Sequence, residues 1–506
     1  MPAAMKTPGV YIVEKDAFPN SIVEVATAVP AFIGYTEKAD NKGKSLSRIP
    51  KRISSMAEFR DYFGGPPPAT FAATKIDPAA TPAQVKAFSL GDTDYQVVRS
   101  EALPQQYLLY YSMMLFFQNG GGPCYIVSVG GYGDTIDKGD DSSGLLGGIN
   151  LLLKEQEPTM VVIPDAVHLA AETDCIAVQQ AALQHCGVKM QSRIAILDIY
   201  DGYKEQEDCI AKFRDDLGIN QLSYGAAYYP WLNTNLVTAR DLGFRNVNAD
   251  QLTALLTEEA TERTNGNLTP VLSADDIGQV KNLTAKYTEL LLNKTLIAAS
   301  PVFSQILAEI AQQMNQLPPS AAIAGIYTMV DGSQGVWKAP ANVSVTSVVG
   351  PTVSISHDEQ ENLNVDIQGK SINAIRAFPG EGVLIWGART LDGNSLDWRY
   401  VNVRRTMIML EQSIKLATKA YVFDNNVANT WVTIKSMIGN FLTGIWKRGG
   451  LMGAVPDDAF AVFCGLGETM TADDVLEGIL RVTVLVAMVR PAEFIEITFQ
   501  QQLPKS

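Results

Sequence analysis

Four apolar, β-branched segments recur at a spacing that few architectures accommodate. YIVSVG begins at residue 125, MVVIPD at 160, RIAILDI at 193 and YGAAYYPW at 224, so successive starts lie 35, 33 and 31 residues apart. That is the length of a strand, a crossover helix and the return to a parallel neighbour. The intervening segments, Leu145 to Gln156, Glu172 to His185 and Glu205 to Leu217, carry apolar residues at helical intervals. Right-handed crossovers then predict a parallel sheet covered by helices, an α/β domain. Two stretches interrupt this pattern. Gly64 to Arg99 opens GGPPPATFAATKIDPAATPAQ and reads as an irregular surface insertion. Asn235 to Gln316, with LTALLTEEATER and VKNLTAKYTELLLN separated by NGNLTP, reads as a helical insertion on the sheet.

The C-terminal part changes character. Met407, Leu410, Ile414, Ala417 and Tyr421 form one helical stripe, with Arg405, Glu411 and Lys419 off it, and Trp431, Ile434, Ile438, Leu442 and Ile445 form a second. Gly449-Gly450 ends that helix. A third helix is expected from Thr471, with Asp473 and Asp474 in its first turn, stopping before Pro491. The unit reads as α+β. Both chain ends are extended: Pro8 to Lys15, centred on Val10, Tyr11, Ile12 and Val13, and Phe494 to Gln502, where Ile495, Ile497 and Phe499 alternate with Glu496, Thr498 and Gln500. Neither terminal strand has an adjacent hairpin partner. Each therefore either edges the protein's own sheet or is donated to another subunit.

At roughly 150 residues per domain, 506 residues suggest about three domains and ample core. Asp and Glu exceed Lys and Arg by 54 to 40; a net charge of −14 opposes nucleic acid, and no stretch is apolar enough for a bilayer span. Five scattered cysteines without a C-x-x-C read as reduced, buried thiols, and the N-terminus carries no secretory signal. Catalytic chemistry is scarce. The three histidines, His168, His185 and His357, form no H-x-x-x-H, so neither a metal nor a cofactor is expected. Asp198, ending an apolar strand, invites comparison with subtilisin-like proteases. Its only downstream histidine, His357, is followed by Asp358-Glu359 instead of Gly-Thr, and no Gly-Thr-Ser nucleophile follows. Asp165 and Asp198 both fall at carboxyl ends of strands, where α/β folds bind ligands; the alternative is that each caps the following helix or turn. The runs Gly120-Gly121-Gly122 and Gly130-Gly131-Tyr132-Gly133 lack G-K-[ST] and read as turns.

Several segments taken together resemble the sheath proteins of contractile phage tails and of extracellular contractile injection systems. They are PGVYIVE, FFQNGGGPCYIV at 116 to 127, PPSAAIAGIYTMVDGSQGVWKAPAN at 318 to 342, SINAIRAFPGEGVLIWGARTL at 371 to 391, WRYVNVRRTMIMLEQSI at 398 to 414, and PAEFIEITFQQ. The resemblance implies a non-enzymatic subunit of stacked hexameric rings around an inner tube, which shorten on a baseplate signal and push the tube through a target envelope. It implies a subtilisin-like but non-catalytic α/β domain (26–64, 100–234 and 317–395) interrupted by insertions at 65–99 and 235–316. A C-terminal α+β inner sheath domain (396–492) and terminal arms (1–25 and 493–506) complete the division. The arms would add strands to neighbouring subunits. The implied partners are further copies of the chain, the inner tube protein, the baseplate and a terminator or cap protein, with no nucleic acid and no membrane insertion. The particle would assemble in the bacterial cytoplasm and leave by lysis. In the family a helix of the C-terminal domain touches the tube, and Asn429 to Arg448 is the candidate here. Its last turn brings Lys447 and Arg448, cations that the helix dipole alone would also favour. The alternative from another class is an α/β enzyme or ligand-binding protein using Asp165 and Asp198.

Overall fold

A computed structural model of the chain describes residues 22–77, 79, 85–100, 105–285 and 287–497. These form two compact units, one over Ala26–Arg405 and one combining the residues up to Val25 with those from Thr406 onward.

The larger unit is built on a nine-stranded sheet. Its spatial order is Val343–Ser344, Gly382–Trp386, Asn373–Phe378, Gly225–Tyr229, Ile194–Asp198, Met160–Val162, Pro30–Thr36, Cys124–Gly131 and Lys51–Ile53. The six strands from Asn373–Phe378 to Cys124–Gly131 are parallel. Antiparallel strands close both sides. Met160–Val162, Ile194–Asp198 and Gly225–Tyr229 are buried at every position, as unbroken apolar runs covered on both faces must be. The four strands expected from the 31-to-35-residue spacing are all present and parallel. The helices between them, Gly144–Leu151, Glu172–Gln184 and Gln206–Leu217, fall where the apolar periodicity put them. Sequence spacing had not shown the strand Pro30–Thr36, whose seven buried residues insert between Cys124–Gly131 and Met160–Val162. Strand order therefore reverses at this point.

The segment read as irregular is a correction. Phe71–Lys75, Phe88–Leu90 and Thr93–Arg99 form a three-stranded antiparallel sheet, its hairpin turning at Gly91 with φ 53°. The sheet forms because Phe71, Ala73, Phe88, Leu90, Tyr95 and Val97 point to one buried side, with Phe88 stacked on Tyr95 at 5.1 Å. The pattern is hidden in sequence by the Pro- and Ala-rich flank. The other insertion is helical, with Ala249–Asn265, Glu289–Ala299 and Pro301–Met314 its longest elements. The two insertions share one hydrophobic core, distinct from that of the nine-stranded sheet.

The smaller unit takes the helix Val401–Thr418 from Thr406 onward, then the helix Ala428–Lys447, which buries Ile434, Met437, Ile438, Phe441, Leu442 and Ile445. Here the expected third helix is corrected. Thr471 does cap a helix through a box with Asp474, but Ala472–Leu476 is only five residues long. Gly478 at φ 75° breaks it, and the β-branched run that follows forms the strand Thr483–Val486 against Phe460–Phe463.

Candidate functional site

In a doubly wound sheet, ligands bind outside the carboxyl ends of the strands where strand order reverses. Asp165 lies just beyond Met160–Val162 at that reversal and is fully buried. Its Oδ2 accepts from the Tyr35 amide at 2.8 Å and its Oδ1 from the Leu108 amide at 2.6 Å. Leu108 is the N-cap of the helix Leu109–Gln118, so the protein's own carboxylate sits on the helix N-terminus that could otherwise take an anion. A Cβ on Gly34 would collide with it. Asp198 repeats the device: it accepts from the Ser320 amide at 2.8 Å and from Ser320 Oγ at 2.5 Å, at the first turn of the helix Ser320–Gln334. Burial raises Asp165 to about 6 and Asp198 to about 7, with the hydrogen bonds pulling the other way. The space beside Asp198 amounts to about 10 Å³, against roughly 300–1,000 Å³ for a small-molecule pocket. Both aspartates therefore cap helices, though not the following ones in sequence: Leu108 lies 57 residues from Asp165 and Ser320 lies 122 from Asp198.

The histidines are dispersed. His168 packs edge-on to Trp231 and burial lowers it to about 4. His185 is lowered to about 3, by burial first and then by Arg193, whose Nη1 lies 3.3 Å away. His357 opens an exposed helix capped by Ser356. The two bonds described at the Asp198 carboxylate both come from Ser320. Among the described residues no cluster of His, Cys, Asp or Glu could hold a metal, and no single helix is long and apolar enough to cross a membrane. All five cysteines are buried.

The sequence blocks quoted above instead supply polar braces. Asp331 of AGIYTMVDGSQG takes both guanidinium nitrogens of Arg405, at 2.9 and 2.6 Å, with side-chain exposures of 3% and 4%. The same guanidinium lies 4.6 Å over the Tyr327 ring and donates to the Thr27 carbonyl at 3.0 Å. Tyr327 in turn bonds Tyr228 at 2.7 Å. Asn373 of SINAIRAF accepts from the Arg389 amide at 2.7 Å and donates to the Arg389 carbonyl at 2.8 Å, tying it to WGARTL. Helical periodicity placed Arg405 off an apolar stripe and missed its burial; an aspartate closing the largely apolar run AAIAGIYTMV was the available signal.

Of the segments expected to join subunits, Val10, Tyr11, Ile12, Val13, Thr498 and Phe499 lie outside the described residues. Ile495, Glu496 and Ile497 belong to no strand, and Phe494, Ile495 and Ile497 are largely exposed. In the same unit, Phe460–Phe463 and Thr483–Val486 pair only with each other among the described residues. Lys447 is exposed at the end of its helix, whereas Arg448 is ion-paired with Glu24 and donates to the Gly444 carbonyl at 3.4 Å.

Two family descriptions match the chain: the phage tail sheath protein central domain over residues 155–391 and the phage tail sheath C-terminal domain over residues 394–502. A putative prophage major tail sheath protein of Pseudomonas aeruginosa (strain UCBPP-PA14) is 30% identical over 118 residues, 23% of this chain and 29% of that protein. The chain spans only 20–29% of the length of the curated relatives it matches. Solved structures are covered more fully. The helical sheath of the anti-feeding prophage in its contracted state is similar with a TM-score of 0.60 at 25% identity, over 98% of this chain and 99% of the other. A chain of the anti-feeding prophage baseplate is similar with a TM-score of 0.58 at 26% identity, over 98% and 99%. With both sheath domains matched in succession and the fold shared along nearly the whole length, the chain belongs to the contractile tail sheath protein family.

Proposed function

We propose that the chain is a structural, non-catalytic subunit of a contractile sheath. It polymerises as stacked hexameric rings around an inner tube and shortens to drive the tube through a target cell envelope. The observation that carries this is the two-stranded sheet of the smaller unit. Two four-residue strands are marginal alone, and among the described residues each has an outer edge that no further strand pairs. The apolar tail at Phe494 to Ile497, exposed in the single chain, is the kind of segment that completes such a sheet by strand addition. Donated arms bond through the main chain, so units can move as rigid bodies while their strands stay paired. Energy is then stored as the difference between two arrangements of the same interfaces, with no nucleotide and no cofactor.

We read the larger unit as a subtilisin-like scaffold put to structural use; what supports this is a parallel sheet with Asp198 at the carboxyl end of a strand, its carboxylate bonded to Ser320. The partners are further copies of the chain, the inner tube, the baseplate and a terminator or cap. Assembly takes place in the bacterial cytoplasm, with release by lysis. Deleting residues 1–15, or ending the chain at Ala492, is expected to leave a monomer of unchanged melting temperature that forms no tubes in electron micrographs. Tubes of normal length from either truncation would overturn strand donation.

A further inference from the structure

Parallel strands give a sheet two unlike ends, and in this chain one segment at each end stands out by its local charge. At the carboxyl end, Pro30–Thr36 runs into residues 37–48, where Lys38, Lys42, Lys44 and Arg48 outnumber Glu37 and Asp40 in a chain of net charge −14. The tip is a small hairpin, Asp40–Asn41 against Lys44–Ser45, turning through Lys42 (φ 51°) and Gly43 (φ 88°). Asp40 Oδ2 accepts from the Gly43 amide at 3.0 Å, and the Leu46 amide donates to the Ala39 carbonyl at 2.9 Å, so the turn is held. Lys42 and Lys44 are exposed and make no ion pair among the described residues.

At the amino end, the last turn of the helix Gln206–Leu217 carries exposed Asp215 and Asp216, and the loop entering Asn373–Phe378 carries Asp366, ion-paired with Arg214 at 3.6 Å, together with exposed aliphatic side chains. Ile367 is fully exposed, Val365 and Leu396 largely so. These side chains stand on a braced frame. Gln368 Nε2 donates to Asp215 at 2.5 Å, the Gly369 amide to the Asp366 carbonyl at 3.0 Å, and the Gly393 amide to the Gly369 carbonyl at 2.9 Å, which ties in the Leu396 loop. Beneath them, buried Arg214 donates to the carbonyls of Asn362, Leu363 and Lys370, and Lys370 Nζ donates to the Arg214 carbonyl. Presenting bare aliphatic carbon on an already ordered loop is how a contact surface limits the entropy lost on binding.

We infer that this acid-rimmed aliphatic surface docks the Lys42–Lys44 hairpin of a second copy of the chain. Lysine stems lie along the aliphatic tip while their ammonium groups meet Asp215 and Asp216. Because the two surfaces sit at opposite ends of one sheet, the contact is head-to-tail, which propagates into rings or helices and does not close a two-fold dimer. The inference rests on the homopolymer reading above and adds the contact through which copies are joined.

The test is a pair of cysteines, Ile367→Cys with Lys44→Cys, in the full chain assembled with its tube and mildly oxidised; the native cysteines are buried. A ladder of covalently linked chains on a non-reducing gel, absent from the monomer, is the expected result. In parallel, Lys42→Glu with Lys44→Glu should leave the monomer melting temperature unchanged and cut sheath yield at least tenfold. Asp215→Lys with Asp216→Lys in the same chain should restore it. If wild-type chain assembles but no ladder forms and the charge variants assemble normally, this contact is overturned while the sheath reading stands. If wild-type chain forms no polymer at all, both fall.

Discussion

Asp198 holds its proton more tightly in the folded chain than an exposed aspartate does, because burial outweighs the two bonds from Ser320. With a folded value of about 7 against 3.8 unfolded, the native state binds the extra proton between those limits. The stability it contributes is therefore complete below pH 3.8 and lost as pH rises through about 7. His168, lowered to about 4, works in the opposite sense, contributing above its unfolded value of 6.5 and losing that contribution as pH falls through 4, so bulk stability profiles mix the two. Asp198→Asn isolates the carboxylate. The melting temperature of the wild type minus that of the variant should fall by on the order of a few °C between pH 5 and pH 8; parallel profiles would remove the burial account. Arg405 makes the sharper energetic case. Truncating it to Ala leaves Asp331 charged and buried, so the larger unit should lose about 3–5 kcal/mol in urea unfolding; a loss below about 1 kcal/mol would show that the pair is solvated. At this scale the sequence was half legible. Strand ends located Asp165 and Asp198, but the amides they cap and the carboxylate that holds Arg405 lie 57 to 122 residues away, beyond any local pattern.

Elements were legible wherever a single period ran long enough. The helix Ala428–Lys447 is marked by its apolar stripe, and its four innermost stripe residues from Ile434 to Ile445 are all buried. From Thr471 the start signal was sound and the stop was misread, because a capping box says nothing about length and Gly478 was passed over in favour of Pro491. At the other end of the longer helix, the two adjacent cations are not equivalent. Arg448 is engaged by Glu24 within its own unit, so of the two it is the exposed Lys447 that we propose as the cation for contact with the tube. Exposed pairs are worth about 1 kcal/mol or less each, enough to hold a ring by repetition and weak enough to release. Lys447→Glu alone should leave the monomer's thermal stability unchanged and shift particles from extended toward contracted, tube-free sheath in negative stain. An unchanged ratio of extended particles would move the tube contact to another surface.

Over the whole molecule, the parallel sheet was readable from four spacings, but the association of the two insertions was not, since nothing in either segment names the other. Each leaves its parent unit through paired backbone. Asn233 lies opposite Gln316 at the mouth of the helical insertion, and Phe71 opposite Arg99 at the base of the three-stranded sheet. Partners in an antiparallel ladder lie about 5 Å apart, a gap that a short turn bridges. The lobe thus behaves as a cassette clipped in at two places, with an interior that only both segments together can seal. Removing residues 72–98 alone would uncover Leu256, Phe303 and Leu307 of the shared core and should give an insoluble chain. Replacing residues 72–98 and 235–315 together by Asn-Gly turns should give a soluble chain that retains the thermal transition of the nine-stranded unit. The same two seams would then accept a foreign domain of similar entry spacing, making the subunit a carrier for cargo displayed once per copy.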